Sequence, residues 1–367
     1  MCFAFQELYF CLGVLHTTET RLMAENYRIA IVGAGSLRGK ELNEALNESA
    51  FATADFVLLD DESSLGKIEA VGDEATVIQI VDPRSFDRAD FVFFTGDEAN
   101  TLKHWKAAAR SGASILDLTY ALEGEPDVLV RSPWVREELN GLSSGKANPD
   151  LRTPAIVPAH PAAVALALLL LRLKKVAAVA SAWATVLEPA TEHGRAAMDE
   201  LHQQTISLLS FQSLPKETYD AQVAFNLLPV LGEESRVDLA ATEARIRRHY
   251  ALLSGGRLPQ VGVQLIHAPV FHGYGISLGV ELEQPASVED LEAALTGGHM
   301  DVVLGDTDAP SNLSTAGEED IMVRVRGEEG GRRFWIWAAA DNLKLSALNA
   351  VACALELRRL RPQGQVQ

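Results

Sequence analysis

A chain of 367 residues is too long for one compact core and points to two domains. Hydrophobic residues at 47% and charged residues at 22% are ordinary globular values, which excludes a largely disordered chain. The 32 basic and 50 acidic side chains leave a net charge of −18. Such a surface repels phosphate backbones and anionic lipid, so neither nucleic acid nor a membrane surface is an expected partner.

Cys2, Cys11 and Cys353 lie at the two chain ends without CxxC spacing. No disulfide framework, zinc ribbon or redox motif is expected, and a reducing cytoplasm fits. The longest apolar run, from Ala162 to Leu171, is half of the roughly 20 residues a membrane helix needs. The first 22 residues have no basic residue before Arg21 and are interrupted by Glu7, which makes a poor signal peptide. We read residues 1–22 as a disordered extension or a mis-assigned start, with translation beginning at Met23.

The run from Tyr27 to Gly33 is β-branched and ends in glycine, as a buried strand does. Gly33-Ala34-Gly35-Ser36-Leu37-Arg38-Gly39 follows, then a helix from about residue 40 to residue 48. Strand, glycine-rich turn and helix open a dinucleotide-binding βαβ unit, whose backbone N–H groups and helix dipole face a pyrophosphate. Gly33 and Gly35, with Ser36 and Leu37, are the candidate contacts. Arg38 stands where the third glycine belongs, and Gly39 comes one residue late. Further strands are expected over residues 56–59, 76–80, 90–95 and 114–117. This α/β spacing implies a parallel, doubly wound sheet. Asp60 and Asp61 close the second strand, where a carboxylate accepts the ribose hydroxyls of NAD and repels the extra phosphate of NADP. An aspartate that simply starts a turn is the other reading.

Pro154 to His160 reads as an extended stretch entering a helix, with Pro161 in the first turn, where its missing N–H costs nothing. That helix runs to Arg172. A strand over 176–186, a helix over 192–209, strands over 260–267 and 275–282, a helix over 287–295 and strands over 321–326 and 333–338 follow. This order suggests an α+β second domain with a mixed sheet. Asp341 and Asn342 open a last helix to about Arg359. The loop-rich stretch 140–154 is the natural boundary. Residues 23–153 with 339–367 then form the dinucleotide-binding domain and 154–338 the second. The run from Glu243 to Arg248 reads as a solvated helix face. Gly327 to Gly331 reads as a hairpin turn, and Trp335 and Trp337 as packing residues on one strand.

Three pieces carry a resemblance: Ala224 to Pro229 (AFNLLP), Ala268 to Gly273 (APVFHG), and Asp341 to Lys344 (DNLK) with Asn349. In this order the chain resembles the aspartate-semialdehyde dehydrogenase family from Tyr27 to about Leu357, and most of all its divergent USG-1 members. The resemblance implies a Rossmann-type domain, a second domain for catalysis and homodimerisation, and a final helix packed back on the first domain. It also implies reductive dephosphorylation of β-aspartyl phosphate by NADPH. That chemistry uses a cysteine thiolate at a helix N-terminus, a glutamine beside it, a histidine acid/base, and arginines for the substrate carboxylate and phosphate. This chain differs at those positions. His160 stands for the nucleophile, Ala184 for the glutamine, His267 for the carboxylate arginine and Tyr274 for the histidine. The phosphate arginine falls on Glu123 or nearby. Ser63 holds the place of the arginine that meets the 2′-phosphate, and Asp97-Glu98 replace a glycine pair near the pyrophosphate. Gly33, Gly35 and Asn342 remain. Cys353 reads as a buried structural thiol on the final helix.

The favoured reading is a catalytically inactive family member that keeps the dimeric scaffold and binds a nucleotide or a partner protein. NAD or NADP would bind weakly, with NAD preferred. One alternative is an active NAD(P)-dependent aspartate-semialdehyde dehydrogenase of amino-acid biosynthesis, which needs a substitute for the cysteine. Another is an altered ligand or metal site on His160, His267 and Tyr274, with His272 close by. No Asp or Glu sits at a diagnostic ligand spacing, so no metal is expected.

Overall fold

The computed structural model describes residues 27–61, 65–71, 74–139 and 148–361. The readings of residues 1–22 and of Ser63, and most of the boundary loop, lie outside the described residues.

The first half runs β1 (Arg28–Val32), α1 (Leu37–Asn47), β2 (Asp55–Asp60), β3 (Ile68–Val71), β4 (Glu74–Val77), β5 (Gln79–Ile80), β6 (Phe91–Phe94), α2 (Glu98–Arg110), β7 (Ser114–Asp117), β8 (Leu129–Arg131), α3 (Pro133–Glu138) and β9 (Ile156–Pro158). Its main sheet has the order β5-β2-β1-β6-β7-β9-β8, with every pair parallel. A parallel sheet is buried on both faces, so its strands are unbroken apolar runs, as Phe-Val-Phe-Phe in β6 shows. The expected Rossmann-type sheet is thus present, with two corrections. The single strand read over 76–80 is two pieces: β4 pairs antiparallel with β3 outside the sheet, and only β5 joins β2. The stretch before His160 is not merely a lead-in, because β9 inserts between β7 and β8 of this sheet.

The second half runs α4 (Pro161–Val176), β10 (Val179–Glu188), α5 (Gly194–Leu209), α6 (Leu239–Ser254), β11 (Val261–His267), β12 (Tyr274–Leu282), α7 (Val288–Leu295), β13 (Met300–Val302), β14 (Ile321–Gly327), β15 (Arg333–Ala340) and α8 (Asn342–Arg358). Its sheet, β11-β10-β12-β15-β14-β13, is parallel at β10/β11 and β13/β14 and antiparallel elsewhere. This is the expected mixed sheet. Helix α4 holds the longest apolar run and is buried from Pro161 to Leu173, as a helix apolar all round must be. It ends at Val176, beyond the expected Arg172, because Lys174 and Lys175 suit a helix C-terminus; β10 therefore starts later, at Val179. Burying α4 carries its N-cap residue, His160, into the interior. Helix α8 packs back on α1, with Lys344 buried among Glu41, Glu44 and Glu48.

The smaller readings also resolve. Residues 327–331 turn between β14 and β15, with Gly330 and Gly331 at positive φ. Trp335 meets Trp183 edge-on at 5.9 Å, and Trp337 Nε1 donates to the Pro310 carbonyl at 2.7 Å.

Candidate functional site

A cleft of about 440 Å3 is lined from both halves of the chain. One wall is the start of α1, at Ser36, Leu37 and Arg38. Another follows β6, from Thr95 to Glu98. The third combines Tyr120, His160, Glu192, His193 and Arg245.

The glycine turn is built by close approach. Gly33 has φ +86°, and a Cβ there would lie 2.3 Å from the Gly96 nitrogen, so only glycine lets the two loops touch. A Cβ on Gly39 would lie 2.3 Å from the Gly33 carbonyl oxygen. The late glycine is therefore the helix–strand packing glycine, and Arg38 lies at the cleft instead. Ser36 caps α1: its Oγ accepts from Gly39 N at 2.9 Å and donates to the Thr95 carbonyl at 3.0 Å. The amides of Leu37 and Arg38, in the first turn, have no intrahelical acceptor. Asp60 accepts from Gly35 N at 2.8 Å and from Asp61 N at 2.9 Å. Gly33, Gly35, Ser36, Leu37 and Asp60 thus gather at one end of the parallel sheet, with Asp61 exposed beside them. Asn342 is engaged elsewhere. It accepts from Thr191 Oγ1 at 3.1 Å and from Gly273 N at 3.2 Å, and donates to Glu192 Oε2 at 3.2 Å.

His160 is the N-cap residue of α4 and is fully buried. Its Nδ1 accepts from Ala162 N at 3.3 Å, so the ring proton sits on Nε2. Nε2 has no hydrogen-bond partner and stands 3.6 Å from Glu192 Oε1. Burial pushes this imidazole down to about 3, against the pull of the Glu192 charge. The backbone N–H of His160 donates to His249 Nδ1 at 3.0 Å, and His249 Nε2 donates to Glu123 Oε2 at 2.8 Å. Arg245, at 3.2 Å, and Arg248 pair with the other oxygen of Glu123. Burial would raise the Glu123 carboxyl, but His249, Arg248 and Arg245 hold it at about 2. The Glu243 to Arg248 run is therefore not a solvated face: Arg245 reaches the cleft and Ile246 is buried.

Tyr120 holds φ 67°, a conformation few non-glycine residues adopt. His160 stacks on its ring at 5.7 Å, while the Arg245 and Arg38 guanidiniums lie 4.8 and 5.6 Å from it. Arg38 crosses the cleft and donates to the Glu192 carbonyl at 2.9 Å and to Glu192 Oε1 at 3.1 Å. Burial alone would raise the Glu192 carboxyl, but Arg38 holds it at about 2.

The other sequence candidates are more dispersed. Ala184 sits in the middle of β10, in the core and away from the cleft. The polar residue that β10 delivers is Glu188, at the strand's end and on the same face. His267 ends β11 against Tyr219, at 4.6 Å, and Tyr274 begins β12 near His160, at 6.1 Å. His272 is exposed. Among the described residues no group of three His, Cys, Asp or Glu is arranged to hold a metal. Cys353 is buried in α8 with Sγ 3.8 Å from the Arg131 carbonyl, and burial raises its thiol. Sequence reading missed Tyr120, Glu188, Glu192 and His193. Only Glu188 had a signal, the two-residue alternation of β10.

Residues 28–142 match the semialdehyde dehydrogenase NAD binding domain, and residues 184–345 match the semialdehyde dehydrogenase dimerisation domain. A USG-1 protein homolog of Azotobacter vinelandii is 30% identical over 332 residues, covering 89% of this chain and 96% of that protein. The chain belongs to the semialdehyde dehydrogenase family. The aspartate-semialdehyde dehydrogenase of Rickettsia bellii is 26% identical over 341 residues, 91% of this chain and 98% of that one. A solved structure, a probable aspartate-semialdehyde dehydrogenase from Pseudomonas aeruginosa, matches with a TM-score of 0.78 at 26% identity, covering 90% and 98% of the two chains. No helix among the described residues is long and apolar enough to cross a membrane. The family's two domains are therefore both represented, with the cleft described above between them.

Proposed function

We propose that this family member is a catalytically inactive homodimer that binds a dinucleotide weakly and acts in the cytoplasm by binding, either a small molecule or a partner protein. The observation that carries this reading is the hydrogen bond that His160 Nδ1 accepts from Ala162 N at the head of α4. A histidine nucleophile needs an unprotonated nitrogen facing its target. Here the Nδ1 lone pair caps α4, and the nitrogen near Glu192 carries the proton. Moving that proton would remove the helix cap. The one described cysteine, Cys353, is buried in α8 with its thiol raised, so it offers no thiolate. Glu192 is ionised beside Arg38, but a base without a nucleophile completes no acyl transfer.

The residues present fit a dinucleotide. The close Gly33–Gly96 approach holds the turn at the head of α1, the first amides of α1 suit a phosphate, and Asp60 closes β2. A bound nicotinamide would supply a hydride acceptor. Asp60 and Asp61 favour NAD over NADP, and Asp97 and Glu98 at the cleft lower affinity for either. Purified protein given aspartate semialdehyde, phosphate and NADP⁺ or NAD⁺ should form no reduced cofactor above background. A cofactor-dependent rate that disappears in His160→Ala would overturn the inactive reading. Calorimetry should show NAD binding more tightly than NADP; the reverse order would refute the charge argument.

A further inference from the structure

Nine buried side-chain atoms among the described residues lack a hydrogen-bond partner. Six of them fall on five residues at one end of the second sheet: His160 Nε2, Glu188 Oε1, Tyr219 Oη, both ring nitrogens of His267, and Tyr274 Oη, which has the Glu192 carboxylate as its neighbour. Leaving buried polar atoms unpaired is costly, so such a concentration calls for something that supplies hydrogen bonds.

Strand register explains the gathering. Glu188 pairs with His267 across β10 and β11. Leu187 pairs with Gly275, which sets Glu188 opposite Tyr274 of β12. In-register neighbours share a face of the sheet. His267, Glu188 and Tyr274 therefore form a row over three adjacent strands, each with no exposed surface. Tyr219 closes one end of the row and His160 the other. His193 Nε2 lies 2.7 Å from Glu188 Oε2, and His193 also lines the cleft. The row is thus one layer behind the cleft wall.

The free acceptors select the ligand. Glu188 gives Oε2 to His193 and leaves Oε1 unshared. Burial pushes His267 down to about 4, so at neutral pH one of its nitrogens is an acceptor. The tyrosine oxygens add lone pairs. An anion here would meet Glu188 and, near Tyr274, Glu192. It would find no unpaired cation, because Arg38 is engaged by Glu192 and His193 by Glu188. A positive centre bearing N–H groups meets acceptors instead. We propose that the row His267–Glu188–Tyr274, closed by Tyr219, binds a primary ammonium group, with Glu188 Oε1, one nitrogen of His267 and a tyrosine oxygen as its acceptors. Complete burial restricts the ligand to ammonium itself or to the aminomethyl end of a small amine entering past His193.

Calorimetry on the full-length protein, in sodium buffer at fixed ionic strength, tests this with ammonium, methylammonium and tetramethylammonium chlorides. Ammonium or methylammonium should bind saturably, and tetramethylammonium, which has no N–H, should not. Tighter methylammonium identifies an amine end and tighter ammonium the free ion; either supports the site. Glu188→Gln should weaken binding by about tenfold or more, as the loss of a charge-assisted hydrogen bond does. Because Glu188 also holds His193, a second variant is Tyr219→Phe, which removes a single oxygen and should weaken binding by about threefold. The proposal fails if neither N–H cation gives saturable heat, or if tetramethylammonium binds equally well. It also fails if both variants keep wild-type affinity, or if a crystal soaked in methylammonium shows only ordered water in the row. Amine binding is measured without hydride transfer, so its outcome is independent of the inactive reading.

Discussion

The family resemblance puts a phosphate-binding arginine at Glu123 or nearby, and Glu123 works in the opposite sense. It gathers Arg245, Arg248 and His249, and through His249 it fixes the backbone of His160. A free glutamate titrates near about 4.3, whereas Glu123 is held at about 2. A depressed carboxyl contributes stability that is fully present above its unfolded value and is lost as pH falls through its folded one. Glu123→Gln should therefore cost about 2 kcal/mol at pH 7, the scale of a hydrogen bond to a charged group. Urea denaturation should show that difference narrowing between about pH 5 and about pH 2. A difference that stays constant down to pH 2 would mean that packing alone positions His249.

At the scale of elements, the long periodic pieces were legible in sequence. The parallel strands are unbroken apolar runs, and α4 is apolar all round, so both patterns point to burial. Short elements such as α3, β8 and β13 carry too few residues for a period to emerge. The site was less legible. His160 at a helix N-terminus followed from Pro161 and the apolar run behind it. Ala184 was placed by resemblance alone, although alternation from Ala182 through Ala184 and Val186 leads to Glu188 on the buried face. The Arg38–Glu192 contact joins residues 154 apart, which no local spacing reveals. The return of α8 was legible, and its anchor is testable. Lys344 Nζ lies 3.3 Å from Glu48, 3.7 Å from Glu41 and 4.0 Å from Glu44 on α1. Lys344→Met would leave those carboxylates facing one another without a cation. It should cost about 2 to 3 kcal/mol, below the loss for a fully buried pair because Glu44 and Glu48 are exposed. Hydrogen exchange should accelerate in α8 before the second sheet. Unchanged protection would show that the apolar face of α8 is sufficient.

At the scale of the whole molecule, the second sheet has one face on the core and one that is partly exposed, as the alternating burial along β10 and β11 shows. The core face carries Ala182, Ala184, Val186 and Leu265. The outer face carries Trp183, 40% exposed, with Gly262 and Gln264 open beside it. The Trp183 indole lies against Gly279, where a Cβ would come within 2.3 Å of the ring, so the aromatic covers the sheet closely. Trp335 extends the same apolar strip. At the sheet's edge, Leu228 bridges to His267, and the segment around it leaves Phe225 and Leu227 exposed at 66% and 56%. Half-exposed tryptophans set among Gln264, Ser277 and Arg324 on one sheet face mark an association surface. The match to a dimerisation domain over residues 184–345 begins just after Trp183 and spans the other positions of this outer face. A second copy related by a two-fold axis would present the same strip to itself and bury both tryptophans. Light scattering at micromolar concentration should therefore give about twice 39.7 kDa. Trp183→Glu puts an unpaired charge at the centre of that strip without disturbing the core face, so it should yield a folded monomer with unchanged circular dichroism. A wild-type protein that scatters as a monomer, or a Trp183→Glu dimer as tight as the wild type, would move the contact away from this sheet.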